Sequence, residues 1–265
     1  MAITTLDGVL AGMIVPQPIL KVGVAMEAIG LSHSHFYSVG SPGAAAAPTP
    51  GVNGAALTTY VGQIPWTNPV SGNSYLARLA LAATQACTIL VCDRLWHNSG
   101  LSVTSTASQA ITSPAWPARD INGATLGHGL LCGVEWSALG GAGAPTVTLG
   151  YTDQDGNAGA TTTFTGVTAP NAGTFERWGL AAGDTGIRSI QTYQASATRT
   201  SGTFHMVVYR ILATLSLPAA AVGAAIDALT SGFVRLYDNT VPFIIQIPSA
   251  TTLTTLSGQW IVTQG

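Results

Sequence analysis

The chain has 265 residues, a formal net charge of −2 and 8% charged residues, against about 25% in typical soluble proteins. This balance excludes the basic footprint of a nucleic-acid-binding protein, and without an apolar run of about eighteen residues we predict no transmembrane helix. A surface with so few charges must expose small, neutral polar or apolar groups, and large apolar patches usually mark contacts with partners. We therefore expect a protein that works inside an assembly.

Residues 1–75 differ in composition from the rest. They hold seven of the fourteen prolines, and residues 28–77 include no Asp, Glu, Lys or Arg. The segment GSPGAAAAPTPGVNGAA at 40–56 has side chains too small to build a core. Disordered segments usually carry high net charge, and this segment carries none. We predict an extended N-terminal arm over 1–75 that lies against other protein surface, with a loop-rich lobe or true disorder as alternatives. The start of the chain lacks the basic residues of a secretory signal, and a weak helix is predicted over 21–29.

Strand signals follow one another in the predicted second region, residues 76–265. The longest, GTFHMVVYRILATLSL at 202–217, is apolar on both faces, which is typical of a strand buried on both sides. In the turn TDQDGNAG at 152–159, Asp155-Gly156 suits the positive φ of a tight hairpin. Many short strands at regular spacing predict an all-β sandwich or barrel. The predicted strands lie near 76–82, 86–95, 101–112, 128–138, 145–152, 159–165, 173–180, 187–193 and 202–217, and at 233–238, 241–247 and 258–264.

One short helix is predicted near 218–229, with the sequence PAAAVGAAIDAL. Proline suits the first turn of a helix, and Ser231-Gly232 provides an end signal. The small side chains of this helix would let it pack closely on a sheet.

Few residues occur in patterns that carry metal chemistry. Asp153-x-Asp155-Gly156-Asn157 resembles part of a calcium loop, but glycine comes fourth instead of sixth and Phe164 stands where the glutamate belongs. We interpret this segment as a turn. His33-x-His35 would place two imidazoles on one face of a strand, but the sequence offers no third ligand nearby. We predict no metal site.

Catalytic patterns are also weak. His97 follows Asp93 at helical spacing without a G-x-S-x-G nucleophile, and no phosphate-binding glycine motif is present. Asp153 and Glu176 would suit a glycosidase only at a carboxylate separation of about 5–9 Å, which a sequence cannot test. We predict no catalytic or cofactor-binding site and no cofactor.

Three further sets of residues have a structural interpretation. Cys87, Cys92 and Cys132 are odd in number and lack C-x-x-C spacing, so we expect buried thiols in a protein made in a reducing cytoplasm, with a disulfide as the alternative. The six tryptophans belong to the core, to interfaces or to a sugar-binding surface. Arg210 lies inside the longest strand, where a buried guanidinium needs a partner. An acid from a neighbouring strand of the same chain is predicted, with the sheet edge or a partner subunit as alternatives.

Several passages resemble structural proteins of tailed double-stranded DNA bacteriophages. They are YLARLALAATQACTILVCDRLWHNSGLSVT, SPAWPARDINGATLGHGLLCGVEW, LAAGDTGIRSIQ and AIDALTSGFVRLYDNTVPFIIQIP. The resemblance covers most of the chain and carries no functional residue. It implies a virion component, and size, arm and low charge look most like a capsid decoration (cement) protein.

The resemblance also implies a fold, partners and a location. It implies a jelly-roll-like β-sandwich, a homotrimer, and a non-enzymatic role in clamping neighbouring subunits of the major capsid protein. The protein would be made in the host cytoplasm and lie on the capsid surface of the virion, with neither nucleic acid nor membrane as a partner. The alternative is a tail, baseplate or receptor-binding component that recognises host glycans.

Overall fold

The structure, a computed structural model, describes residues 3, 5–23, 28–230, 232 and 234–265. Its regular structure is almost entirely β, and the sheets pack in a sandwich-like arrangement, which confirms the predicted all-β class. The jelly-roll connectivity stays a prediction. The helix α1 is Leu6–Ala11.

Seventeen strands are found within the described residues. They are β1 (Gln17–Lys21), β2 (His33–Ser34), β3 (Gly40–Ser41), β4 (Ala55–Ala56), β5 (Ser74–Ala83), β6 (Cys87–His97), β7 (Gln109–Ala110), β8 (Leu131–Ala138), β9 (Thr146–Asp153), β10 (Ala158–Thr165), β11 (Phe175–Arg177), β12 (Ile187–Ala195), β13 (Thr203–Leu217), β14 (Gly223–Asp227), β15 (Arg235–Leu236), β16 (Pro242–Pro248) and β17 (Leu256–Gln264).

The chain divides into two compact units. The first unit comprises Met1–Ala45, Thr59–Asp93 and Ile211–Gly265, and the second comprises Ala46–Thr58 and Arg94–Arg210. The long strands β6 and β13 contribute residues to both, in a seven-stranded sheet ordered β11-β8-β13-β6-β16-β2 with β4 beside β6. The predicted division at residue 75 does not coincide with these units and stays a prediction.

The first unit is built on a six-stranded sheet ordered β14-β5-β17-β1-β3, with β15 also paired to β5. Its inward side chains pack against those of β6, β16 and the second half of β13, because each strand buries one face. Central members of this core are Ile19, Leu76, Leu79, Leu81, Trp260 and Val262, with Ile89, Val91, Leu215, Leu217 and Ile244 facing them.

The second unit packs a four-stranded sheet, ordered β10-β9-β12-β7, against β8, the end of β6 and the first half of β13. Central members of this core are Val147, Leu149, Tyr151, Ile187, Ile190 and Tyr193, with Cys132, Val134, Trp136, Phe204, Met206 and Val208 facing them. The predicted hairpin joins β9 to β10, and Gly156 has the expected positive φ of 90°.

The predicted helix at 218–229 is wrong. Gly223–Asp227 forms strand β14, which pairs with β5 from Gly223 opposite Ala82 to Asp227 opposite Arg78. Ala221 has φ 59° and donates its N–H to the Ala83 carbonyl, so a turn begins where the helix would. Pairing with an open sheet edge overrides the helix propensity of alanine, which is a weak preference.

Of the strand predicted at 101–112, the structure contains only Gln109–Ala110 as a strand. Hydroxyl groups compete for the backbone there: Ser102 Oγ accepts from the N–H of Thr104, and Ser105 Oγ accepts from the N–H of Ala107. Such local hydrogen bonds favour turns over sheet pairing.

Residues of the predicted arm lie against their own chain. In the first unit β1 pairs with β17, and the Phe36 ring stacks on Tyr60 at 5.6 Å. In the second unit the Leu57 N–H donates to the Leu95 carbonyl at 2.8 Å. The weak helix predicted over 21–29 falls partly on residues 24–27, which lie outside the described residues, and Lys21 ends strand β1.

Candidate interaction surface

Exposed apolar side chains are concentrated in the first unit. Of seventeen large apolar side chains exposed within the described residues, fourteen belong to the first unit and ten lie between residues 6 and 70. Those of the second unit are Ile121, Leu126 and Leu139. Because charged residues are scarce on this chain, these side chains mark the surface most suited to contacts with another protein.

Six of them form what we call the N-terminal apolar stretch: Leu6, Leu10, Met13, Val15, Leu20 and Val22. Thr5 begins helix α1 as its N-cap, since its hydroxyl accepts the Gly8 N–H at 3.1 Å. Residues four apart share one helix face, so Leu6 and Leu10 both point outward while Val9 is buried.

The outer face of the six-stranded sheet carries small side chains. The register places Ala82 of β5 between Gly223 of β14 and Ser257 of β17, and it places Ala80 beside Ala225 in the next row. These residues line a shallow cavity of about 600 Å³. The result is a smooth, nearly uncharged floor.

One pair of opposite charges borders this floor. Arg78 and Asp227 lie directly opposite each other on β5 and β14. The backbone N–H and hydroxyl of Thr230 lower the pKa of the Asp227 carboxyl, and Arg78 adds to the effect. The border therefore keeps one positive and one negative group at neutral pH.

The single lysine, Lys21, is buried and donates hydrogen bonds to its own chain. The Lys21 ammonium donates to the carbonyls of Pro42 at 2.8 Å, Ser38 at 3.1 Å and Gly43 at 3.4 Å. Burial lowers its pKa to about 8. Lys21 thus holds the loop after β2 and adds no charge to the surface.

A buried ion pair lies in the second unit. Arg94 on β6 and Glu135 on β8 are fully buried, with Nη1 and Oε2 2.7 Å apart, and Arg94 Nε donates to His97 Nδ1 at 3.1 Å. Burial, followed by the charge of Arg94, lowers the pKa of His97 to about 2. His97 is therefore an uncharged acceptor. Asp93, which the sequence places at helical spacing from His97, accepts the Val241 N–H in the first unit.

A serine and a histidine lie within hydrogen-bond distance beside this ion pair. Ser137 Oγ is 2.7 Å from His205 Nε2, and His205 Nδ1 is 2.8 Å from the Asn98 carbonyl. A register shift between Thr203 and Phe204 leaves Ser137 without a partner residue in the β8–β13 ladder, and such bulges redirect side chains. A serine nucleophile and a histidine base make the same kind of contact in hydrolytic enzymes.

The surroundings favour a structural role for this pair. His205 is 1% exposed, and burial lowers its pKa. Neither the cavity on the six-stranded sheet nor a second cavity, at Thr152 and Arg188 in the second unit, is lined by Ser137 or His205. The sequence contained no signal for the pair, since its members are 68 residues apart.

The calcium-like segment is a turn, as predicted. Asp153 accepts hydrogen bonds from the backbone N–H groups of Asp155 and Asn157 and from the Asn157 amide, all between 2.8 and 2.9 Å. These bonds, the Asn157 amide first, lower the pKa of Asp153. Both carboxylate oxygens are occupied by the turn itself.

His33 and His35 are buried in the first unit with their rings 5.4 Å apart. Burial lowers the pKa of His33 to about 4 and that of His35 to about 3, and His35 Nε2 is 2.6 Å from Gln246 Oε1. Among the residues that the structure describes, no three His, Cys, Asp or Glu side chains are grouped to hold a metal ion.

Glu176, the second acid considered for a glycosidase, has structural contacts. Its Oε1 accepts the Val167 N–H at 2.8 Å and lies 3.9 Å from Arg199 Nη2. With Asp153 engaged in its turn, both acids stabilise loops.

Five of the six tryptophans are buried: Trp96, Trp116, Trp136, Trp178 and Trp260. Trp66 is half-buried, and its indole N–H donates to the Thr240 carbonyl at 2.8 Å. Tryptophan stacking on a ligand is thus limited to Trp66.

The cysteines are free and buried, as expected. Burial raises the pKa of Cys87 to about 11 and raises that of Cys132 still further. These are therefore unreactive thiols.

Arg210 finds a contact within its own chain. It is 4% exposed, and its Nη1 donates to the backbone carbonyl of Asp120 at 3.4 Å. This contact with a backbone oxygen lies within the chain itself, and an acidic partner for Arg210 stays a prediction. The carboxylate of Asp120 accepts N–H groups of the following loop, including those of Asn122 and Ala124.

Neither a membrane-spanning helix nor a similarity to a known protein adds to this description of the described residues. Among the described residues, no helix is both long and apolar enough to cross a membrane. No protein-family model, curated protein or solved structure matches this chain.

Proposed function

We propose that this chain is a non-enzymatic structural protein of a tailed-phage virion, which decorates the capsid and stabilises it by clamping neighbouring subunits of the major capsid protein. It acts as a homotrimer on the capsid surface after synthesis in the host cytoplasm. The observation that carries the proposal is the concentration of exposed apolar side chains in the first unit.

Three features support this function. The N-terminal apolar stretch and the smooth sheet floor offer area for contact, and a protein interface of ordinary size buries about 1,600 Å². Repeated contacts of that size hold a shell by avidity, without one strong site. The polar groups with catalytic potential are buried in structural networks.

The experiment uses particles of the phage that encodes the chain. Quantitative mass spectrometry and electron cryomicroscopy of purified virions should find on the order of hundreds of copies, on the outer capsid shell, as repeated weak contacts require. Particles stripped of this chain should break at a lower temperature and recover when the purified protein is added back. A count of tens or fewer, at the tail, would replace this function with the tail or receptor-binding role.

A further inference from the structure

A second, smaller cavity lies in the second unit, with a volume of about 280 Å³. Thr152 at the end of β9 and Arg188 and Ser189 at the start of β12 form one side, and Ser113 and Thr125 belong to flanking loops. Thr152 and Ser189 are neighbours in the β9–β12 register. The cavity thus opens on the outer face of the four-stranded sheet.

Its walls are held in place by hydrogen bonds to β12. Ser113 Oγ accepts the Ile190 N–H at 3.0 Å, and the buried Trp116 donates its indole N–H to the Ile187 carbonyl at 2.8 Å. The loop with Thr125 is fixed by Asp120, whose carboxylate accepts the Ala124 N–H. The cavity is therefore largely formed before a ligand arrives, as small-molecule sites usually are.

Arg188 brings a cationic side chain to this cavity. Its exposed guanidinium makes no hydrogen bond or ion pair with any described residue. By contrast, Arg94, Arg119 and Arg199 all donate to protein oxygens. The guanidinium lies over Gly156, where an added Cβ would be 3.1 Å from Nη1. The nearby acids accept their own donors, Asn157 for Asp153 and Gln154 for Asp155.

The chemistry of the lining favours a carboxylate on a hydroxylated ring. A guanidinium binds a carboxylate through two parallel hydrogen bonds. Serine and threonine hydroxyls both donate and accept, which suits the hydroxyl groups of a sugar. Beyond the cavity the same sheet face continues with threonines, where Thr163 lies opposite Thr148 and Thr161 lies in the row of Thr192. A phosphate polymer would require several free cations, and this face supplies one.

We propose that this cavity binds the carboxylate-bearing sugar of an acidic glycan. Arg188 holds the carboxylate, and the hydroxyls of Thr125, Thr152 and Ser189 bind the sugar hydroxyls. The threonine face continues the contact toward neighbouring sugars. This inference stands independently of the capsid role, because its residues belong to the second unit and not to the exposed apolar surface of the first.

The test is a titration of the full chain, followed by NMR or calorimetry, with glucuronate as the probe. Saturable binding is expected with a dissociation constant of about 1 mM or weaker, the scale of a single charge-assisted contact. Glucuronamide, which lacks the charge, should bind at least about tenfold more weakly. Arg188→Gln should cause a similar loss, and Thr125→Val a loss of about threefold. The matched control, Arg78→Gln, removes an exposed arginine of the first unit and should leave binding unchanged.

Three results would overturn the proposal. One is the absence of saturation with glucuronate up to about 50 mM, well above the expected constant. Another is equal binding by the Arg188→Gln protein. The third is inorganic phosphate binding as tightly as glucuronate, which would indicate a general anion site without sugar recognition.

Discussion

The two units use polar and apolar groups in opposite ways. The second unit contains twelve of the twenty charged residues but three of the seventeen exposed large apolar side chains. The first unit contains eight charged residues and the other fourteen exposed apolar side chains. The second unit buries eight of its twelve charged residues, whereas the first exposes most of the large apolar side chains that are available for contact with other molecules. The difference indicates that stability and association depend on different parts of the chain.

The largest expected effect tests the internal charges of the second unit. Glu135→Gln removes the charge that faces Arg94, so a buried guanidinium loses its counter-ion. The free energy of unfolding should fall by about 3–5 kcal/mol, measured by urea denaturation. The matched control is Glu176→Gln, whose partner Arg199 is 3.9 Å away and also donates to the Gly143 carbonyl. If Glu135→Gln lowered the free energy of unfolding less than Glu176→Gln, the buried Arg94–Glu135 pair would not be the more stabilising of the two.

The next effect is a loss of stability in acid, to which the buried His33 of the first unit contributes. Burial lowers the pKa of His33 from its ordinary value of 6.5 to about 4, so the unfolded chain binds the proton more tightly. This contribution is fully present above pH 6.5 and is lost as the pH falls toward 4, by about 3 kcal/mol at most. His33→Gln removes one titrating group and should reduce the slope of unfolding free energy against pH in that window, while His35 still contributes to it. An unchanged slope would show that His33 is not buried in its neutral form.

A smaller effect concerns the serine and histidine of the second unit. Ser137→Ala removes the hydroxyl 2.7 Å from His205 Nε2. Since one hydrogen bond contributes about 1 kcal/mol, the free energy of unfolding should fall by about that amount. Ester hydrolysis by the unmodified protein should remain at the level of buffer alone. Hydrolysis that disappears in Ser137→Ala would give this pair a catalytic role.

Substitutions on the exposed face of helix α1 should have the smallest effect on stability and the clearest effect on self-association. Replacing both Leu6 and Leu10 with Gln changes two exposed positions on helix α1, so the unfolding free energy should shift by no more than about 0.5 kcal/mol. Sedimentation should nevertheless show weaker self-association, and binding to stripped particles should decrease. Leu139→Gln, an equally exposed leucine of the second unit, is the control. If both variants reduced association equally, the contrast between the units would lose its functional meaning.

Local patterns predicted much of the fold from residue 76 onward. Alternating and apolar runs marked β5, β6, β8, β9, β12 and β13, and Asp155-Gly156 marked the hairpin. The helix at 218–229 was wrong because the propensity of alanine is outweighed by pairing with β5, more than 130 residues earlier. Helix α1 was missed, although Thr5 before Leu6 and Asp7 is an N-cap signal.

The candidate sites depend on contacts between residues that are far apart in the sequence, and composition and local patterns do not predict such contacts. Lys21 holds carbonyls from residues 38–43, and Ser137 meets His205 through an antiparallel register. The isolation of Arg188 is equally a property of the fold, since nothing in its flanking sequence distinguishes it from the other arginines. Exposed apolar residues were predicted only as a consequence of low charge, and their concentration in the first unit required the structure.

The small-residue floor on the outer face of the six-stranded sheet has a consequence for entropy. Alanine and glycine have no side-chain rotamers to lose, and serine has few. A partner that packs on Ala80, Ala82, Gly223 and Ala225 would therefore immobilise almost no side chains on this surface. At most interfaces each ordered long side chain opposes binding by about 0.5–1.5 kcal/mol. A surface of this kind can bind through modest contact area, because it is already as ordered when free as it would be in the complex.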